Sequence, residues 1–445
     1  MKKYEAYKNS GIEWIGQIPE GWSVVPLKYN LSLKGRIGWN GLKSEEFQEK
    51  SYAYLVTGQD FNSDVVNWEK CYQINKERYD EDPFIQLENG DLLVTKDGTI
   101  GKVAKVVNLD KPACLNSGIF VVKQTKGVFE QNYLYWVLVS NQLKEFVGFN
   151  STGSTIAHLY QNVFENMPLT VPPLTEQKAI ASYLDYKVGQ IDASVSAINT
   201  QIDDLKSYRQ SIISEAVTKG LNPNVPMKDS GMEWIGEIPE EWETLILKRI
   251  AHVLTGTTPS TAEEKYWNNP NYTWYTPSDI KEDSIKLDDS ERKVNSCAVS
   301  EGAIKEFPSG SLLMVGIGSI GKVGITYKPC SANQQINAIV FNSSVNPRFG
   351  AYFIFASRDN IRSKANAALL AIINQTTMGE VEFVLPPIET QNAIVEFLDT
   401  KISKIESAIT SLEAQRDDLN TLKQSIISEA VTGKIDIRDW KPKNV

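Results

Sequence analysis

One stretch occurs twice in this chain of 445 residues, and it limits what the rest can become. The first copy runs from Pro172 to Thr218 and the second from Pro386 to Thr432, at a constant offset of 214. Each opens with a Pro-Pro pair and a glutamine (Pro172, Pro173, Gln177; Pro386, Pro387, Gln391). Each closes with the same run Gln-Ser-Ile-Ile-Ser-Glu-Ala-Val-Thr, at 210–218 and 424–432. In between, apolar residues step alternately by four and three. They are Leu184, Val188, Ile191, Val195, Ile198, Ile202, Leu205 and Ile212 in the first copy. In the second they are Leu398, Ile402, Ile405, Ile409, Leu412, Leu419 and Ile426. That step draws one narrow apolar seam along one face of a helix. The proline pair marks the start, because proline cannot sit inside a helix. Glu176 and Glu389 place negative charge in the first turn, and Gly220 and Gly433 follow the last periodic residues as stops. Each helix should be roughly 44 residues and about 65 Å long.

A long helix with a narrow seam must bury it, and the other copy is the natural partner. Between the two helices lie about 165 residues, enough for a compact domain with a radius of gyration of roughly 15 Å. Such a domain returns the chain close to where it left. The second helix should therefore start near the end of the first, and the pair should be antiparallel. The alternative, ordinary bundle helices in one large core, does not account for a sustained heptad repeated almost unchanged.

The repeat extends beyond the helices. Lys8-Asn-Ser-Gly-Ile-Glu-Trp-Ile-Gly-Gln-Ile-Pro-Glu-Gly-Trp22 returns at 228–242, and Gly90-Asp-Leu-Leu-Val-Thr-Lys-Asp-Gly-Thr-Ile-Gly-Lys-Val103 returns at 310–323. The chain is one unit written twice, a globular domain followed by a long helix. The expected segments are 1–170, 171–221, 222–384 and 385–445. Candidate strands are 51–56, 91–95, 118–122, 311–315 and 338–341, and helical spacing covers 132–146 and 348–363. The expected fold class is α+β: two mixed α/β domains separated by an antiparallel coiled coil.

Little in the chain suits catalysis. His158 and His252 are the only histidines, and Cys71, Cys114, Cys297 and Cys330 show no metal-ligand spacing. Reduced thiols in a cytoplasmic protein are the expectation. No signal peptide and no apolar run of membrane-spanning length is visible. Gly316, Gly318 and Gly321 spell G-x-G-x-x-G after an apolar strand. A dinucleotide or S-adenosylmethionine site needs a helix next, whereas Lys322-Val-Gly-Ile-Thr-Tyr327 reads as a second strand. The first copy has Lys96 in place of Gly316. Strand, glycine turn and strand make a hairpin. Asn269-Pro-Asn-Tyr272 is similar to the Asn-Pro-Pro-Tyr loop of adenine methyltransferases but lacks the second proline and reads as a turn.

The hairpin tips carry more information. Lysines outnumber carboxylates from Gly90 to Lys126, and Gly98, Thr99 and Gly101 let backbone approach a phosphate closely. Candidate DNA-binding residues are Arg36, Thr57, Gln59, Lys96, Gly98, Thr99 and Lys102 in the first domain. In the second they are Thr257, Thr276, Ser278, Gly318, Ser319 and Lys322. Against this, the formal net charge is −9, where a lone DNA-binding protein is usually basic. A nucleotide-using enzyme and a protein-only coiled-coil adaptor are the competing function classes.

The duplicated layout resembles the specificity subunits of type I restriction-modification systems. The resemblance rests on Ser10-Gly-Ile-Glu-Trp-Ile-Gly-Gln-Ile-Pro19, Pro172-Pro-Leu-Thr-Glu-Gln177, Gln210–Thr218 and Gly433-Lys-Ile-Asp-Ile-Arg-Asp-Trp440, and covers essentially the whole chain. It implies two target-recognition domains, each reading half of a bipartite DNA site, with the coil as spacer. It implies no catalytic site and no cofactor on this chain. The implied partners are two methyltransferase subunits using S-adenosylmethionine, and restriction/translocase subunits using ATP and Mg. It implies helix–helix and methyltransferase docking roles for Leu184, Ile191, Ile198, Leu205, Leu398, Ile405, Leu412 and Leu419. The second domain departs from the first at Ala365-Asn-Ala-Ala-Leu-Leu370, where the first has Ser151-Thr-Gly-Ser-Thr155.

Overall fold

The computed structural model describes residues 2–36, 42–150, 158–365 and 372–441. The loops at 151–155 and 366–370, contrasted above, lie outside this range. Two long helices dominate, Leu174–Lys219 with 46 residues and Ile388–Val431 with 44. Each starts directly after its proline pair. Each stops at a left-handed glycine, Gly220 at φ +78° and Gly433 at φ +70°.

The chain divides into two compact units, Met1–Asn199 with Ala414–Val445, and Thr200–Glu413. Each unit takes half of each long helix. In the first, Ile180, Leu184, Val188 and Ile191 share a core with Ile426, Ile427, Ala430 and Val431. In the second, Ile213, Ala216 and Val217 share a core with Ile394, Val395, Leu398 and Ile402. The start of one helix meets the end of the other in both units, so the pair is antiparallel. Along the seam Leu184, Ile191, Ile202, Leu398, Ile405 and Ile409 are buried, and Ile198, Leu205, Leu412 and Leu419 are half-buried. Lys423 pairs with Asp192 across the first unit's helices at 2.6 Å.

The globular part of the first unit is built on a six-stranded sheet. Its order is Leu31–Lys34, Ile119–Gln124, Leu92–Thr95, Val103–Lys105, Val65–Val66, Phe61–Asn62. The second unit has a four-stranded counterpart, ordered Ala251–Thr255, Ile336–Phe341, Leu312–Val315, Val323–Ile325. Each unit also has a three-stranded sheet, centred in the first on Ala53–Val56 between Ala113–Leu115 and Tyr72–Ile74, and in the second on Tyr272–Tyr275. Alternation along the central strands feeds two cores. Leu92 and Val94 join the core that contains the long helices, while Leu93 faces the other way. Leu312 and Met314 repeat the first role, and Leu313 and Val315 the second. The expected strands are present with shifted ends: Ala53–Val56, Leu92–Thr95 and Leu312–Val315 are shorter by one or two residues, and Ile119–Gln124 and Ile336–Phe341 extend two residues further at one end. The expected helices are each two, Gln131–Val139 with Asn141–Asn150 and Pro347–Ala356 with Arg358–Ser363. The break falls at a buried serine, Ser140 or Ser357, whose hydroxyl donates to the carbonyl three residues back.

The repeated glutamine has a structural task. Gln177 is fully buried, accepts from the Glu130 N–H at 2.8 Å, and donates to the carbonyls of Val128 and Pro172 at 3.1 and 2.9 Å. Gln391 does the same with Asn346 N–H at 2.8 Å, Ser344 at 2.9 Å and Pro386 at 2.8 Å. Each amide ties the first turn of a long helix to the cap of a domain helix.

The other helix ends are held by tryptophan. Trp242 packs on Gly220, with a Cβ there 3.1 Å from its Cζ2. Trp22, near the chain start, packs on Gly433, near its end, where a Cβ would lie 2.3 Å from Pro19 Cδ and 3.2 Å from Trp22 Cη2. Lys434 adds to that closure by donating to the Ile15 carbonyl at 3.1 Å. All four cysteines are free. Burial pushes the Cys71 and Cys330 thiols up to about 12 and Cys114 up to about 11. These three thiols therefore stay protonated.

Replacing Gly433 by alanine is expected to cost at least about 1–2 kcal/mol from left-handed backbone alone, plus the clash with Pro19. Gly220→Ala, with its looser 3.1 Å approach, should cost less. Urea unfolding checks the order, and equal losses would show that Pro19 does not seat on the helix end.

Candidate nucleic-acid interface

The glycine motifs form hairpins in both units. Val103 pairs with Val94 antiparallel, and Val323 with Met314. In the first turn Thr95 N–H donates to Lys102 O at 3.0 Å and Gly101 N–H to Thr95 O at 2.9 Å. In the second, Val315 N–H donates to Lys322 O at 2.9 Å and Gly321 N–H to Val315 O at 3.2 Å. Gly98, Gly101, Gly318 and Gly321 all have positive φ, between +67° and +89°, which is what the turn demands of them. Gly316 is a packing residue: a Cβ there would sit 2.6 Å from the Ile373 carbonyl. The G-x-G-x-x-G spelling thus comes from two turn glycines and one close approach, with no helix behind it. Asn269, at φ +48°, makes the turn read from the sequence.

Beside the first tip lies a groove of about 620 Å³. It brings together five of the candidates, Thr57, Gln59, Gly98, Thr99 and Lys102. Asp97, Asn116 and Ser117 also line it. Gln59, Thr99 and Lys102 are exposed.

Thr57 serves the loop itself. Its N–H and hydroxyl donate to Asp60 at 2.7 and 2.8 Å. Burial raises the Asp60 carboxyl above the usual range, and these two bonds offset only part of that rise. Thr276 repeats the arrangement on Asp279 at the same distances, 2.7 and 2.8 Å, and its hydroxyl also meets Ser278 at 2.8 Å. The Thr257 hydroxyl accepts from the Lys305 N–H at 3.1 Å. In the second unit Gly318 and Ser319 are exposed at the tip and Lys322 is half-buried.

Two candidates point elsewhere. Arg36 is 2 % exposed and donates to the Leu115 carbonyl at 2.9 Å. Lys96 lies over the Phe120 ring at 4.9 Å, and burial lowers its pKa. Neither lines the groove. Cationic residue types in a loop signalled charge, but the direction of a side chain depends on cores assembled from distant strands.

Sequence reading missed Asp97 and His158 as a pair. The Asp97 carboxylate accepts from His158 Nδ1, and the two residues also form a backbone bridge. In the second unit the matching bridge joins Ile317 to Ile372. The same scaffold therefore carries a polar pair in one unit and an apolar pair in the other. Among the described residues no group of His, Cys, Asp and Glu is placed to hold a metal, and no helix is long and apolar enough to cross a membrane.

The family model for the type I restriction modification DNA specificity domain matches this chain twice, at residues 38–204 and 239–414. The MjaVIII type I restriction enzyme specificity subunit of Methanocaldococcus jannaschii is 25% identical over 449 residues, covering 95% of both chains. The StySPI specificity subunit of Salmonella potsdam is 20% identical, covering 96% of this chain and 92% of its own. A solved structure described as showing complex assembly and conformational transition of the type I R-M system has the same fold, with a TM-score of 0.70 at 15% identity over 94% of this chain and 99% of that one. With two matches that together span well over half of its length, each on one of the duplicated units, the chain belongs to the type I restriction-modification DNA specificity family, as a recognition subunit without catalysis of its own.

Proposed function

We propose that each globular domain reads one half of a bipartite DNA site through its hairpin tip and the loops beside it. The carrying observation is the groove at the first tip, where Gln59, Thr99 and Lys102 are exposed on a loop framework built by glycines and the Thr57–Asp60 bond. Lys102 and Lys322 bind phosphate and set position, while side chains beside them touch base edges. Asp97 is acceptor-only and would repel a phosphate, so its place is against an exocyclic amino group in the major groove. Ile317, in the matching position, suits a thymine methyl. Thr57, Thr257, Thr276 and Ser278 hold the loops that present these groups.

The coil sets the distance between the two half-sites. Its seam is occupied by helix–helix packing, so Leu184, Ile191, Ile198, Leu205, Leu398, Ile405, Leu412 and Leu419 support partner docking by holding the helices in register. Outward faces meet two methyltransferase subunits, which carry S-adenosylmethionine. Restriction/translocase subunits using ATP and Mg join through that complex, in the cytoplasm. The net charge of −9 is compatible with DNA binding because the contact is confined to the tips.

Mapping methylated bases in cells carrying this chain and its methyltransferase tests the reading. Lys102→Ala should weaken DNA binding and reduce the salt slope by up to about one unit with an unchanged motif. Its stability should move by less than about 0.5 kcal/mol, since the side chain is exposed. Asp97→Asn should change preference at one position of one half-site, where a wrong pair costs about 1–3 kcal/mol, and leave the other half intact. An altered motif with Lys102→Ala, or an unaltered one with Asp97→Asn, would reverse these assignments. Inserting one heptad into both long helices lengthens the coil by about 10 Å, or about three base pairs. The same half-sites with a longer gap are expected, and an unchanged gap would remove the spacer role.

A further inference from the structure

Three glutamines are buried in the described residues: Gln142, Gln177 and Gln391. Gln177 and Gln391 each give and receive main-chain hydrogen bonds through both ends of the amide. Gln142 is 2 % exposed, and neither its oxygen nor its nitrogen has a partner. It forms the floor of a groove of about 560 Å³ within the first unit, lined also by Glu13, Trp14, Glu145 and Phe149. The Trp14 indole N–H is buried and unpartnered as well. Glu13 and Glu145 are exposed carboxylates, and Phe149 is an exposed ring tilted at 45° to Trp14, with ring centres 5.5 Å apart. None of the described residues lining the groove is a cation.

In the second unit the helix that follows the serine break is bonded to the chain itself. Counted from the helix-breaking serines Ser140 and Ser357, Asn141 and Glu145 correspond to Arg358 and Arg362. Arg358 donates to the main-chain carbonyl of Glu282 at 2.7 Å, and Arg362 pairs with the Glu282 carboxylate. There the chain's own loop lies along the helix and is bonded through its backbone and its charge. Among the described residues of the first unit, the helix offers the unpartnered Gln142 amide and the exposed Glu145 carboxylate, with no loop bonded along them.

We propose that this groove takes an extended segment of the methyltransferase subunit bearing a lysine or arginine. A peptide unit presents one N–H and one C=O, the complement of a side-chain amide, and this molecule uses glutamine that way twice already. A basic side chain next to it meets Glu13 and Glu145 and lies against Trp14 and Phe149, rings that favour a cation over their faces. The partner's identity rests on the functional reading above, and the groove's chemistry does not.

The test uses the full chain with the purified methyltransferase subunit as probe. Gln142→Met keeps volume and removes the unpaired amide. The variant chain alone should melt about 2–4 °C higher, and it should bind the methyltransferase at least about tenfold more weakly. Gln177→Met is the control and should melt lower, because its amide is fully bonded. Glu13→Lys with Glu145→Lys should also weaken assembly about tenfold or more while leaving the half-sites unchanged. A Gln142→Met chain that melts lower would show its amide is satisfied internally and overturn the proposal. Variants that assemble as well as wild type would overturn it too. A wild-type chain that takes up no methyltransferase would instead remove the partner reading, and the proposal with it.

Discussion

The seam between two antiparallel helices is the interaction on which the rest depends. Neither helix is stable by composition alone, because its polar face is broad and its apolar stripe narrow. Burying each seam side chain contributes roughly 1.5–3 kcal/mol relative to exposure, and that gain exists only when both copies are present and opposed. Direction follows from chain connectivity, and register follows from the heptad. The ends are then fixed by parts that lie outside the coil. Gln177 and Gln391 bind the helix starts to their domains, and Trp242 and Trp22 close over Gly220 and Gly433. Aspartates farther along the helices add to this. Asp185 accepts from the Trp136 indole at 2.9 Å, and Asp399 from the Tyr352 hydroxyl at 2.7 Å and Arg348 at 2.6 Å. Each domain is thus seated on its own stretch of coil by a repeated glutamine and by an aspartate at the same place in the helix, though with different donors.

How much of this is legible in the sequence depends on the range of the interaction. Helix length, direction and stops are written in local signals, namely proline, heptad and glycine, and those readings hold. The hairpins follow from glycine pairs between apolar runs, which also exclude a nucleotide loop. What could not be read is decided by non-local packing. Arg36 and Lys96 carry charge in glycine-rich loops but turn inward, because Leu115 and Phe120, far along the chain, come to lie beside them. Thr57 and Gln59 are two residues apart, yet one is used by Asp60 and the other is exposed. The glutamine after each proline pair stood out as a repeat marker, but its three main-chain bonds depend on where the domain helix docks. The strands Ala53–Val56 and Ala113–Leu115 are parallel neighbours, and no local pattern pairs them.

Duplication makes the division of labour visible. Where both units keep the same residue type, the residue bonds to backbone: the turn glycines, Thr57 and Thr276, Asp60 and Asp279, Gln177 and Gln391. Several positions where the units differ lie at the hairpin tips, Asp97 and Ile317 among them. Asp97 with His158 against Ile317 with Ile372 is the sharpest case, since the backbone bridge persists while the residues change from a hydrogen-bonded polar pair to two isoleucines. A base-reading surface needs this arrangement. Its frame must be rigid enough to aim a side chain, and its tips must accept new residues without loss of stability.

That separation has a physical limit, and the limit says where specificity can change. Exposed positions such as Gln59, Thr99 and Ser319 tolerate substitution within about 0.5 kcal/mol. Gly98, Gly101, Gly318 and Gly321 do not, because any other residue at their φ of +67° to +89° costs about 1–2 kcal/mol and disturbs the turn. Gly316 is bound more tightly still, with the Ile373 carbonyl 2.6 Å from where a Cβ would stand. The first unit has Lys96 at that position, and its carbonyl accepts from Leu159 N–H at 2.9 Å. On the proposed reading, new recognition arises at side chains between the fixed glycines, while the path of the backbone, and with it the seat of each domain on the coil, stays the same.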